Sequence, residues 1–84
     1  MQTQWIVWCD GVVYGVGSTA QDALDCAREF APDWDGRYTF TTDNHETSGV
    51  VYLARATEQL CDAVRRGDVG VAFRSVDGVQ DVVR

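Results

Sequence analysis

The chain predicts an α+β domain in which an antiparallel sheet carries two helices on one face, in the order ββα-ββα-ββ. Three observations lead there. Two Asp-Gly pairs, Asp10-Gly11 and Asp77-Gly78, each stand between runs of β-formers. Asp-Gly is the strongest short hairpin signal, because the type I′ turn needs positive φ at both central residues. Two further stretches place apolar residues on one face at helical spacing, each behind a residue able to cap a helix. At 84 residues the chain suffices for one domain, residues 1–84, with a thin core.

Each element follows from local chemistry. Trp5-Ile6-Val7-Trp8-Cys9 is a run of β-formers, and Val12 to Val16 is its return strand. Gly17 releases the chain, and Ser18 or Thr19 can cap a helix over about 20–31. Ala20, Ala23, Leu24, Ala27, Phe30 and Ala31 form its apolar face, and Pro32 ends it. Asp33-Trp34-Asp35-Gly36 reads as a turn. Arg37 to Thr41 alternates, with Tyr38 and Phe40 on one face of a half-buried strand. Residues 43–49 form a polar hairpin loop before the strand Gly49 to Ala54. Thr57 can cap a second helix over about 58–66, with Leu60, Cys61 and Val64 as its stripe and Gly67 as its stop. Val69 to Arg74 and Val79 to Val83 are the last two strands. The two ββα units share a faint repeat: Val12-Val13-Tyr14 and Val50-Val51-Tyr52 are each followed five residues later by a Thr. Duplication and shared propensity both account for it.

The charge narrows the partners. Thirteen acids, ten of them Asp, face seven bases that are all Arg, for a net charge of −6. A phosphate backbone or an anionic membrane is repelled by such a chain, whereas a basic protein surface is attracted. Acidity also serves solubility alone. The acids concentrate: Asp22, Asp25 and Glu29 recur on the outer face of the first helix, and Asp33 and Asp35 extend the charge past its end around Trp34. Like charges at this spacing cost a few tenths of a kcal/mol per pair; the face reads either as a hydrated surface or as a docking ridge for an Arg/Lys-rich partner. Ile6 and Trp8 point opposite to Trp5, Val7 and Cys9. A strand apolar on both sides has its second face covered either by a partner or second copy, or by the fold itself.

The residues offer no catalytic or cofactor signature. Cys9, Cys26 and Cys61 form no Cys-x-x-Cys pair and no Cys/His cluster, which predicts no metal site and free thiols in a reducing cytoplasm. Cys26, bordering the acidic stripe, and Cys9, beside a turn, are the candidates for linking two chains under oxidation. His45 sits in a polar loop without a neighbouring Cys. The Asp residues at 10, 35 and 77 precede Gly, so turn chemistry explains them. Gly15-Val16-Gly17-Ser18 lacks the third glycine and the lysine of phosphate-binding loops. Arg66-Gly67-Asp68 reads as a helix end. The basic start of a leader peptide and an apolar run of membrane-spanning length are not seen.

The tract Asp10 to Thr19, followed by Asp22-Ala23-Leu24 and Ala27, resembles the strand-then-helix segment of HicB-type antitoxins, which implies a regulatory protein-binding module. As a whole, this short, acidic, single-domain chain resembles the anti-CRISPR proteins of phages and mobile elements. That resemblance implies a non-enzymatic inhibitor, without cofactor, that binds a CRISPR–Cas effector, type I ahead of others, and blocks a surface meant for target DNA.

Overall fold

The computed structural model describes residues 3–30, 38–42, 49–67 and 70–83. Among these residues the chain forms β1 (Gln4–Cys9), β2 (Val12–Gly17), α1 (Ala20–Phe30), β3 (Thr39–Phe40), β4 (Val51–Ala56), α2 (Glu58–Arg65), β5 (Phe73–Val76) and β6 (Val79–Val82). The α+β class and the element order are those expected from sequence. Both Asp-Gly turns have positive φ at both centres, 51° and 76° at Asp10-Gly11 and 54° and 80° at Asp77-Gly78. Thr19 caps α1, its Oγ1 accepting the N–H of Asp22 at 3.1 Å. Thr57 caps α2 by accepting the N–H of Leu60 at 3.3 Å. Gly67, with φ of 97°, supplies the left-handed residue that stops α2.

The sheet runs β2-β1-β4-β6-β5, with β3 also against β4. It is mixed, not purely antiparallel. β1 pairs antiparallel with β2 and β4, but β3 and β6 both run parallel to β4. Parallel neighbours cannot be joined by a tight hairpin, so β3 and β4 are not the two arms of the hairpin expected; residues 43–48 between them lie outside the described residues. Boundaries shift with the pairing. β4 begins and ends two residues later than the sequence suggested, and β5 starts at Phe73, leaving Val71 and Ala72 outside the strand.

The helices lie on opposite faces of the sheet, which corrects the expectation that they share one. The strand register separates the two sides. Ile6 stands opposite Ala54 and Trp8 opposite Tyr52, while Val7 stands opposite Leu53. The first set packs with Val13, Ala56 and the α2 residues Leu60, Cys61 and Val64. The second packs with Ala23, Leu24 and Ala27 of α1. β1 is thus an inner strand covered on both faces by the chain's own helices, and the apolar far side of the Trp-rich strand is not a free surface. Trp8 stacks on its cross-strand partner Tyr52 at a centroid distance of 4.6 Å and meets Phe73 edge-on at 5.3 Å, geometries that add to burial alone.

Two glycines set the position of α1. A Cβ on Gly15 would lie 2.6 Å from the backbone nitrogen of Ala27, and one on Gly17 would lie 2.6 Å from that of Ala23. Only bare backbone on this side of β2 lets the alanine face of the helix come so close. Replacing Gly15 by Ala must push α1 off the sheet. The expected loss is roughly 2–4 kcal/mol, read as a lower urea midpoint, whereas Gly70→Ala, which meets open space, stays within about 0.5 kcal/mol of the parent.

The α2-side core contains one polar residue. Gln80 is 0% exposed, and among the described residues neither end of its side-chain amide has a hydrogen-bond partner; the indole Nε1 of Trp8 is likewise without one. The backbone of Gln80 is well used, since its carbonyl accepts the N–H of Thr57 at 2.9 Å. A buried amide without partners costs about 1–3 kcal/mol. Gln80→Met keeps the length and removes both polar ends, so a higher urea midpoint is expected; a lower midpoint would mean that the amide contributes a bond in solution.

Candidate partner-binding site

Helical geometry fixes the outward face of α1. Ala23, Leu24 and Ala27 point to the sheet, which sends Asp22, Asp25 and Glu29 to solvent. All three are exposed, as the sequence predicted, and the local residues pre-order two of them. The Ser18 hydroxyl donates to Asp22 at 3.3 Å, and the Gln21 amide donates to Asp25 at 3.0 Å. Arg28 approaches Asp25 at 3.8 Å, an exposed pair worth little in itself, so among the described residues the ridge is three carboxylates answered by one guanidinium. α2 differs: its Asp62 meets Arg65 at 3.4 Å, and Arg65 also donates to the Gln4 side chain at 2.8 Å. Asp33, Trp34 and Asp35, predicted to continue the ridge, lie outside the described residues, as does His45.

A second cluster shares this side of the sheet. α1 packs over β1 and β2 and leaves the β4 and β3 part of the same face less covered. There Trp5 stands opposite Arg55 and Leu53 stands beside Phe40. The Arg55 guanidinium lies 5.5 Å from the Trp5 ring centroid, and the Phe40 ring lies 6.0 Å from it. Phe40 is 52% exposed and Tyr38 46% exposed, which corrects the expectation of a half-buried third strand. β3 is two residues long, and neither core cluster of the described residues includes one of its side chains. The sequence signal was present, since Tyr38 and Phe40 alternate, but alternation does not say whether a layer will cover them.

The cysteines separate by environment. Cys26 is half-buried on the α1 flank nearest β2, and Cys9 is half-buried with its thiol 3.6 Å from an Asp10 carboxylate oxygen. Cys61 is fully buried, its thiol 3.9 Å from the carbonyl of Trp5. Burial pushes its pKa from 9.0 up to about 11, against the lowering effect of Arg65. Among the described residues no group of three or more His, Cys, Asp or Glu is placed to hold a metal ion, and no helix is long and apolar enough to cross a membrane.

The Cys61 environment gives a signed pH dependence. Below pH 9 the thiol is protonated in both folded and unfolded chains and has no effect on the balance. Between 9 and about 11 the unfolded chain ionises while the folded one does not, so stability falls as pH rises. Urea titrations across that window should show the parent losing roughly 2–3 kcal/mol more than Cys61→Ala; parallel slopes would mean that the buried thiol ionises without penalty.

Comparisons with protein-family models, with curated proteins and with solved structures give no match to this chain.

Proposed function

We propose that the chain is a non-enzymatic inhibitor that docks on a basic, nucleic-acid-holding surface of a partner protein and keeps nucleic acid from it. The observation that carries this reading is the outward face of α1. It holds Asp22, Asp25 and Glu29 exposed and in register, with Ser18 and Gln21 orienting two of the carboxylates. Oriented carboxylates match guanidinium and ammonium groups built to hold phosphate, and opposed potentials speed the encounter. The Trp5–Phe40 ring pair on the same side of the sheet, with the exposed Tyr38 two residues before Phe40, supports the reading. Exposed rings beside a charged ridge supply the apolar area and the cation–π surface that Arg-rich partners use. The whole-chain resemblance to anti-CRISPR proteins makes a type I CRISPR–Cas effector in the bacterial cytoplasm the first partner to try.

The test is binding to purified type I effector complexes, measured by pull-down and calorimetry. The parent chain should bind and compete with target DNA, and binding should weaken with added salt. Reversing Asp22, Asp25 and Glu29 to Arg together should lower affinity by at least about tenfold while the circular dichroism spectrum is unchanged. Undiminished binding by that variant would remove α1 as the contact. Failure of the parent to bind such effectors would remove the effector as the partner.

A further inference from the structure

We infer that the free edge of β2 accepts a short extended segment of a partner protein as an added strand, a contact that borders the α1 ridge at Asp22. Among the described residues β2 pairs only with β1 and stands at the end of the sheet. An open edge exposes backbone donors and acceptors, and proteins commonly guard such edges with charges or proline. β2 reads Val-Val-Tyr-Gly-Val-Gly and has neither, whereas β5, at the other end, carries the exposed Arg74. A groove of about 390 Å³ runs along this edge. Its floor is Val13 to Val16, one wall is Cys26 of α1, and the other is Val64, Arg65 and Gly67 at the end of α2. The register break opposite Val7 and Trp8 leaves Tyr14 as a bulge. That bulge limits regular pairing to a few residues, which suits a short segment and disfavours open-ended sheet growth.

The charges on the two rims select the occupant. The last turn of α2 brings Arg65 to one rim, its guanidinium also reaching Asp62 and Gln4. Asp22, whose Cβ lies 2.6 Å from where a Gly17 Cβ would be, brings a carboxylate to the other. Side chains of an added strand alternate between the two faces. A fitting segment therefore has small apolar residues at its centre, acidic residues on the α2 side and basic residues on the α1 side. A second copy fits poorly. Antiparallel β2–β2 pairing about a twofold normal to the sheet keeps each face on its own side, so it sets α2 arginines against α2 arginines and α1 acids against α1 acids.

Two blocked heptapeptides of identical composition test this with the full chain. In Glu-Lys-Val-Thr-Val-Lys-Glu the acids share one face and the bases the other, in either strand direction. Glu-Glu-Val-Thr-Val-Lys-Lys puts one acid and one base on each face, in every register and in either direction. Titration followed by amide chemical shifts should show the first peptide binding at least about tenfold more tightly than the second. The shifts should centre on Val12 to Gly17, and Tyr14→Lys should abolish them. Equal affinities, no binding of either peptide, or shifts confined to Phe40 and Arg55 would overturn the assignment. So would a solution mass of two chains that falls to one in Tyr14→Lys, since it would give the edge to a second copy.

Discussion

The fold depends on one requirement, that β1 be covered on both sides. Its residues alternate between faces, yet Ile6, Val7 and Trp8 are all buried. A strand of that kind is stable only in the middle of a sheet with a layer above and a layer below. The chain meets the requirement by sending its two helices to opposite sides. The rest follows: β1 takes β2 and β4 as its neighbours, β2 gives up side chains at Gly15 and Gly17 so that α1 can approach, and the hairpin of β5 and β6 completes the α2 side with Phe73 and Gln80. Placing both helices on one face would have left either Val7 and Leu53 or Trp8 and Tyr52 in water.

Much of the architecture was legible because it is local. The Asp-Gly turns declare their backbone conformation, and Thr19 and Thr57 stand where a hydroxyl can accept a first-turn amide. The helical period of the α1 acids needs only the sequence to be seen. What was not legible is set by long-range choices. Which face a helix takes depends on how its connection crosses the sheet, and the parallel pairing of β3 and β6 with β4 depends on which edge remains open after β1 has docked. Two signals were available and point the right way afterwards. A strand apolar on both sides needs two covers, and glycines at 15 and 17 bare a single face of β2. Tyr38 and Phe40 show the limit of pattern reading: the same alternation that marks a core strand also describes a strand that no layer reaches.

The two sides of the sheet handle charge and surface differently. α2 ties its Asp62 and Arg65 into a local set with Gln4, and its cap is joined to the last strand, where the Thr57 hydroxyl donates to Asp81 at 2.8 Å. α1 sets three carboxylates outward with Arg28 as the base among them, beside a partly exposed aromatic and arginine cluster. Among the described residues, the surface charges of α2 are thus tied to neighbouring elements, whereas those of α1 are held only by residues of the helix and its cap.

The two cores are built from different materials. Among the described residues the α1 side joins Val7 and Leu53 of the sheet to Ala23, Leu24 and Ala27 of the helix, whereas the opposite core holds Trp8, Tyr52, Ile6, Leu60 and Phe73. Alanines packed on glycines give close backbone approach in place of large buried side chains. A ligand gripping α1 therefore acts on a helix seated directly on sheet backbone, and slowed amide exchange along it would register its capture even where the average structure did not change.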